Sequence, residues 1–290
     1  MVKRTNSSSS WAVYHRSTGN THFMYLDNAC LLYTSDAADD TPRTIAHNLG
    51  TVPGMIMVKR TNSSSSWAVY HRSTGNTHFM YLDNAYNAGT YAGGWNNTTP
   101  TSTHFTVGDG AMVNSGNDTY VAYVFAHDAA QFGTDGNESI IKCGTYSGDN
   151  DSQEINLGFE PQFVILKKSS GGLNSGDWIM ADVVRGWFGY VTEMNDVQQL
   201  NANDTSMDGQ NGGRVGVTPI GFKFQGEAND DYNKSGQNYI YMAIRRSHKP
   251  PESGTEVFAV DTKGGTSPNP PTFNAGFPAD WSLYLSLIHI

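Results

Sequence analysis

The chain has 290 residues, 38% hydrophobic, 12% aromatic and 16% charged, which is apolar enough for a folded core and long enough for about two domains. A formal net charge of −9 without any basic run argues against a sequence-independent grip on nucleic acid. No apolar run reaches the roughly eighteen residues of a membrane-spanning helix. Met1 leads into "VKRTNSSSSW" rather than an apolar leader core. Cys30 and Cys143 are not expected to pair.

The string "MVKRTNSSSSWAVYHRSTGNTHFMYLDNA" occurs at Met1–Ala29 and again, letter for letter, at Met57–Ala85. Evolved repeats diverge and begin at turns; this one has not diverged and begins inside the apolar run "GMIMVKR". Between the copies lies "CLLYTSDAADD", Cys30–Asp40. It resembles a translated sequencing adapter. The codons TGT CTC TTA TAC ACA TCT give Cys30–Ser35, and the same bases shifted by one give Leu-Ser-Leu-Ile-His-Ile, as in Leu285–Ile290. Residues 1–40 are therefore expected to be a duplication joined through an adapter, and 285–290 an adapter-derived tail. The duplicate would compete with 57–85 for one sheet position or stay loose.

A first divergent unit is expected over 41–130. It opens "IAHNLGTVPGMIMVKR" and continues through "WAVYHR", "HFMYL", "HFTV" and "YVAYVFAH". These are short runs rich in β-branched and aromatic residues, separated by Gly, Asn, Ser and Thr, so they predict strands. "MIMV" is continuously apolar, as suits a strand covered on both faces. "HDAAQFGTDGNE", His127–Glu138, is predicted as an extended spacer.

A second unit is expected over 138–250. It opens "INLGFEPQFVILKK", which matches the first opening at Leu49/Leu157, Gly50/Gly158 and Pro53/Pro161. Trp178 matches Trp67, "TPIGFKF" matches "TSTHFTV", and "NKSGQNYIYMAI" matches "NSGNDTYVAYVF". The spacing, about a hundred residues, is that of a domain and not of a solenoid repeat. The one helical hint is "EMNDVQQLNAN", Glu193–Asn203. Pro- and Gly-rich stretches flank the short strand "EVFAV". The opening "FNAGFPADWSLY" then predicts a linker and a truncated third unit over 255–284. The fold class read from this pattern is all-β, with tandem antiparallel β-sandwich domains of jelly-roll or lectin-like kind.

Catalytic motifs are absent: no G-x-S-x-G elbow, no phosphate-cradling loop ending in Lys-Ser/Thr, no H-E-x-x-H. Cys143, in "IIKCGTY", reads as a buried inert thiol; as a nucleophile it would need a His brought beside it. His47, His71, His78, His104, His127 and His248 have no close metal-ligand spacing. "SGDNDSQE" (Ser147–Glu154) and "EANDDYN" (Glu227–Asn233) offer oxygen ligands for calcium, and equally the ordinary chemistry of turns. Trp95 and Trp187 either stack on sugars, if exposed, or anchor their loops to the core. No catalytic, cofactor-binding or metal residue is assigned, and no cofactor is expected.

The sequence "INLGFEPQFVILKK … GDWIMADVVRGW … GFKF … YIYMAIRRSHKPPESGTEVF … FNAGFPADWSL" resembles a β-rich repeat of structural, tail-fibre-like proteins of environmental bacteriophages, over about residues 41–284. The resemblance implies a non-enzymatic virion protein of the phage tail with a spacer or host-contact role. Its implied partners are other virion proteins, further copies of itself and host-surface glycans, without nucleic acid or membrane insertion. The alternatives are a carbohydrate-binding module of a secreted, extracellular bacterial protein and, after it, a polysaccharide depolymerase.

Overall fold

The computed structural model describes residues 12–13, 24–25, 30–36, 42–132, 136–170, 176–187, 200–203, 215–224, 231–246, 254 and 258–260, with only the backbone described before residue 42. The chain divides into two compact parts, Met1–Ser247 and His248–Ile290.

In the first part the strands are β1 (Ala12–Val13), β2 (Met24–Tyr25), β3 (Cys30–Asp36), β4 (Arg43–Ala46), β5 (Pro53–Arg60), β6 (Ala68–His71), β7 (His78–Tyr81) and β8 (Gly89–Thr90). One helical turn, α1 (Ala92–Trp95), precedes β9 (His104–Val107) and β10 (Thr119–Ala126). Then follow β11 (Ile141–Ser147), β12 (Glu154–Asn156), β13 (Pro161–Lys168) and β14 (Trp178–Asp182). The last are β15 (Leu200–Asn201), β16 (Val215–Thr218), β17 (Gly221–Phe224) and β18 (Asn238–Arg245). The fold is mostly β, in several antiparallel sheets. The strands expected from Ile45 to Arg245 are present. The helical hint at Glu193–Asn203 lies outside the described residues except at its end, where Leu200–Asn201 is a strand.

Two large sheets run in matching order: β3-β10-β5-β6-β7-β8 and β11-β18-β13-β14-β15. Each faces a small sheet, β4-β9 for the first and β12-β17-β16 for the second. The apolar layer between the first pair holds Leu49, Ile56, Val58, Trp95, Phe105 and Val124. That between the second pair holds Leu157, Val164, Leu166, Trp187, Phe222 and Tyr239. A third layer, with Met55, Val69, Met80, Cys143, Ile165, Trp178 and Met242, comes from the opposite faces of the two large sheets. Those sheets therefore pack on each other across one common seam.

This layering explains the continuous apolar runs. In β5, Met55 faces the seam and Ile56 the outer core; in β13, Ile165 faces the seam while Val164 and Leu166 face outward. Alternate residues of a strand point to opposite faces, so a strand covered on both sides must be apolar at every position. The Leu-Gly-x-x-Pro openings have an equally local cause. Leu49 and Leu157 are buried, Gly50 and Gly158 take left-handed φ values of 70° and 78°, and Pro53 and Pro161 start β5 and β13.

The connection expected as a spacer is folded into the seam. Phe132 and Glu138 form an antiparallel bridge, Phe132 packs on the seam's apolar layer, and Arg245 is ion-paired to Glu138. In the second part of the chain, Phe258 and Val260 of the expected strand "EVFAV" are exposed and lie in no strand. The third opening, from Phe273, lies outside the described residues.

The adapter-like segment takes part in a sheet. β3 pairs with β10 from Thr119↔Asp36 to Phe125↔Cys30, and β11 pairs with β18 from Asn238↔Ser147 to Ile244↔Ile141. Within the duplicated string β1 pairs antiparallel with β2. Ala12 pairs with Tyr25 and Val13 with Met24, as Ala68 pairs with Tyr81 and Val69 with Met80.

Candidate functional site

Cys143 lies in the seam, 1% exposed, and burial pushes its thiol far up from its ordinary value. A histidine does stand beside it, but on its backbone: Cys143 N–H donates to His127 Nδ1 at 3.1 Å. Gly54 closes the contact, since a Cβ there would lie 2.6 Å from Cys143 Sγ and 2.7 Å from His127 Cβ. A thiol that burial keeps protonated is a poor nucleophile, so this pair is packing.

The other core histidines are tied in the same manner. Leu49 N–H donates to His47 Nδ1, while His47 Nε2 meets Thr101 O at 3.1 Å. Ser73 N–H donates to His71 Nδ1, and His71 Nε2 reaches across the seam to Tyr241 O at 3.0 Å. With Nδ1 accepting, Nε2 carries the proton and donates, which fixes a neutral tautomer. Burial pushes His71 and His127 down to about 4. His248 lies outside the described residues, and among those described no three His, Cys, Asp or Glu side chains gather as a metal site.

The acidic loop Ser147–Glu154 is built by its own turns. Asp149 Oδ1 accepts from Asp151 N, Asp151 Oδ1 accepts from Ser152 N, and Asn150 takes a φ of 64°. Buried Asn233 clamps it, accepting from Asp149 N and donating to Asp151 O at 2.7 Å. Turn chemistry accounts for the residue types here. In the loop Glu227–Asn233, only Asp231–Asn233 are described.

The two tryptophans, read as sugar platforms if exposed and as loop anchors otherwise, are interior. Trp95 is 1% exposed and stands edge-on to Tyr70, and Trp187 is fully buried with Nε1 donating to Val215 O at 2.8 Å. They anchor loops to the core. Trp187 also lines a cavity of about 320 Å³ with Val183, Val217, Pro219 and Thr218, beside the ion pair Arg246–Glu160.

Two arrangements were not singled out from the sequence. The first is a lysine lock found in both halves. Lys59 Nζ donates to Ser65 O and lies 5.8 Å over the Trp67 ring; Lys167 Nζ donates to Gly176 O and lies 5.8 Å over Trp178. Lys167 is fully buried, and burial pushes it down to about 8 against the pull of Asp177 and Asp231. Each tryptophan's backbone N–H is capped, by Asp83 Oδ1 in one half and Asn203 Oδ1 in the other. The basic residues that close "MIMVKR" and "FVILKK" and the matched Trp67 and Trp178 were its trace in the sequence.

The second is a tyrosine shelf at the β7–β8 end of the first large sheet. Tyr86 and Tyr91 are 41% and 43% exposed, with Tyr81 half-buried beside them. Tyr81 stands edge-on to Tyr86 at 6.4 Å, and Phe79 edge-on to Tyr81 at 4.8 Å and to Tyr91 at 5.8 Å. Burial, followed by the nearness of Tyr91, Asp83 and Tyr86, raises the Tyr81 phenol. The Tyr-rich string "YLDNAYNAGTY" carries the shelf in sequence, where it reads equally as strand and turn.

Comparison with known proteins follows the same boundaries. A search of curated proteins finds no match. A solved structure entitled "Crystal Structure of the STIV MCP" aligns at 10% identity and a TM-score of 0.20, covering 74% of this chain and 96% of that one. A family profile described as a domain of unknown function, DUF7483, matches residues 30–247. The match starts where β3 starts and ends where the first compact part ends. The chain belongs to the DUF7483 family.

Proposed function

We propose that the chain is a non-enzymatic structural module of a bacteriophage particle, a tail-fibre component that acts as spacer or host-contact element. The seam carries the reading. Two large sheets share one buried layer, and the buried histidines and lysine are spent on the chain's own backbone carbonyls and amides. Such a body resists bending and leaves its loops free for contact. The resemblance of "YIYMAIRR" followed by "KPPESGTEVF" to tail-fibre-like repeats points the same way.

The halves are read as tandem sandwiches from one duplicated unit. Strand order, the Leu-Gly-x-x-Pro turn and the lysine lock recur in both. Residues 1–40 and 285–290 are read as lying outside the genuine gene, and DNA prepared without transposon ends tests this: an intact "CLLYTSDAADD" in frame would remove the reading. Partners in the particle are other virion proteins and further copies of this chain.

Peptide mass spectrometry of purified particles tests the function. Peptides from residues 42–247 in stoichiometric amount are expected. Their absence from particles, together with a gene set among bacterial secretion genes, would replace the reading with a carbohydrate-binding module of a secreted protein. Release of reducing ends from host capsule would instead mark a depolymerase.

A further inference from the structure

The two halves repeat what their fold requires. Phe105 and Phe222 fill the outer cores from β9 and β17, Tyr120 and Tyr239 from β10 and β18, and both lysine locks are kept. The tyrosine shelf is not repeated. Tyr81 pairs with Ala68, the residue after Trp67; its counterpart, paired with Ile179 after Trp178, is Asn201. The register is secured by Leu82 N–H on Trp67 O and Ala202 N–H on Trp178 O. The register of the repeat therefore does not require a tyrosine at the Tyr81 position.

The shelf lies at the margin of the α1 turn, which packs on the β7 end of the first large sheet: Phe79 is buried beside Trp95, while Tyr86 and Tyr91 stay 41% and 43% exposed. The rings there are held before any ligand arrives. A Cβ on Gly93 would meet the Tyr91 ring at 2.6 Å and one on Gly110 would meet its hydroxyl at 2.8 Å, so the hydroxyl end of the ring rests against these two glycines. Tyr86 is set by its N–H on Asn84 Oδ1 at 2.9 Å, and Asp83 stands at the rim. Fixed aromatic faces lose little entropy on binding.

We propose that the shelf of Tyr81, Tyr86 and Tyr91, with Asp83 at its rim, binds a neutral saccharide. A pyranose offers an apolar C–H face to stack on the rings and hydroxyls to donate to the carboxylate. An anionic ligand meets Asp83 and a chain of net charge −9. The inference stands whether the chain is borne by a virion or secreted, so its failure leaves the proposed function intact.

The test is saturation-transfer NMR and titration calorimetry of the full chain with neutral cello-, malto-, manno- and galacto-oligosaccharides. At least one series is expected to bind. Tyr86→Ala and Tyr91→Ala should each weaken that binding roughly fivefold to tenfold, and Tyr86→Phe should keep most of it. Thermal unfolding of Tyr86→Ala, at a largely exposed ring, should stay within a few degrees of the parent. Binding by no series overturns the proposal. So does binding that both alanine variants leave unchanged, which places the sugar elsewhere. Loss of self-association in sedimentation, with no sugar bound, assigns the shelf to a second copy instead.

Discussion

His71 has both ring nitrogens engaged inside the seam, one accepting from Ser73 N–H and one donating to Tyr241 O. A second proton would break the first bond beside Arg72 and His127, which already disfavour it. The folded ring titrates near 4 and an unfolded one near 6.5, so the unfolded chain binds more protons in between. Stability should therefore be full above about pH 6.5 and fall as the pH drops toward 4, by on the order of 3 kcal/mol from this residue. Urea midpoints measured across that window check it. The fall should be shallower in His71→Gln, which keeps a donor for Tyr241 O without a titrating ring. Cys143 makes a second expectation at this scale. In a Cys30→Ser background it should ignore a thiol reagent at neutral pH and react fully once the chain is unfolded in denaturant. Reaction at the rate of a free thiol in the native protein would show that the seam opens readily.

At the scale of elements, β3 is the instructive strand. It fills the edge beside β10 through backbone pairing, as β11 does beside β18. An edge slot asks chiefly for an extended chain in register, which many strand-forming segments can supply. Deleting residues 1–29 should leave stability within about 0.5 kcal/mol. Extending the deletion through Asp36 strips β10 of a partner along Thr119–Phe125, and self-association on that bared edge should appear in sedimentation velocity. The strands were legible because their causes are local: period-two or continuous apolar runs, and a Gly that must take positive φ before Pro53 and Pro161. The packing was not. Nothing in "MIMV" says which neighbour covers its second face, and the Gly, Asp and Ala of the His127–Glu138 connection read as a spacer although the fold ties it down through Phe132 and Arg245. Trp95 and Trp187 stayed open between sugar platform and loop anchor for the same reason, because Gly-rich flanks look alike around a buried anchor and an exposed ring. The tyrosine shelf was illegible because "YLDNAYNAGTY" does not say which of its rings the α1 turn leaves exposed.

For the whole molecule, the seam decides whether the two halves behave as beads or as one body. Met55, Val69 and Met80 of one half are buried only against Ile165, Trp178 and Met242 of the other and the strands beside them. Polar links cross the same surface: Trp178 Nε1 donates to Tyr81 O at 2.6 Å, and Asn87 Nδ2 donates to Ser170 O at 3.0 Å. Separating the halves would expose both apolar faces and strand these donors, whereas modules joined by a free spacer would lose nothing. Residues 1–247 should therefore unfold in a single transition. Ile165→Ala, in the second half, should lower stability by about 2–5 kcal/mol. Hydrogen exchange locates the loss. If the seam couples the halves, amides of β5 and β6 in the first half should lose as much protection as those of β13 and β14. Independent sandwiches would leave β5 and β6 at their parent rates, and residues 42–130 would then fold alone in solution. The coupled case expects that fragment to aggregate through its bared Met55–Val69–Met80 face.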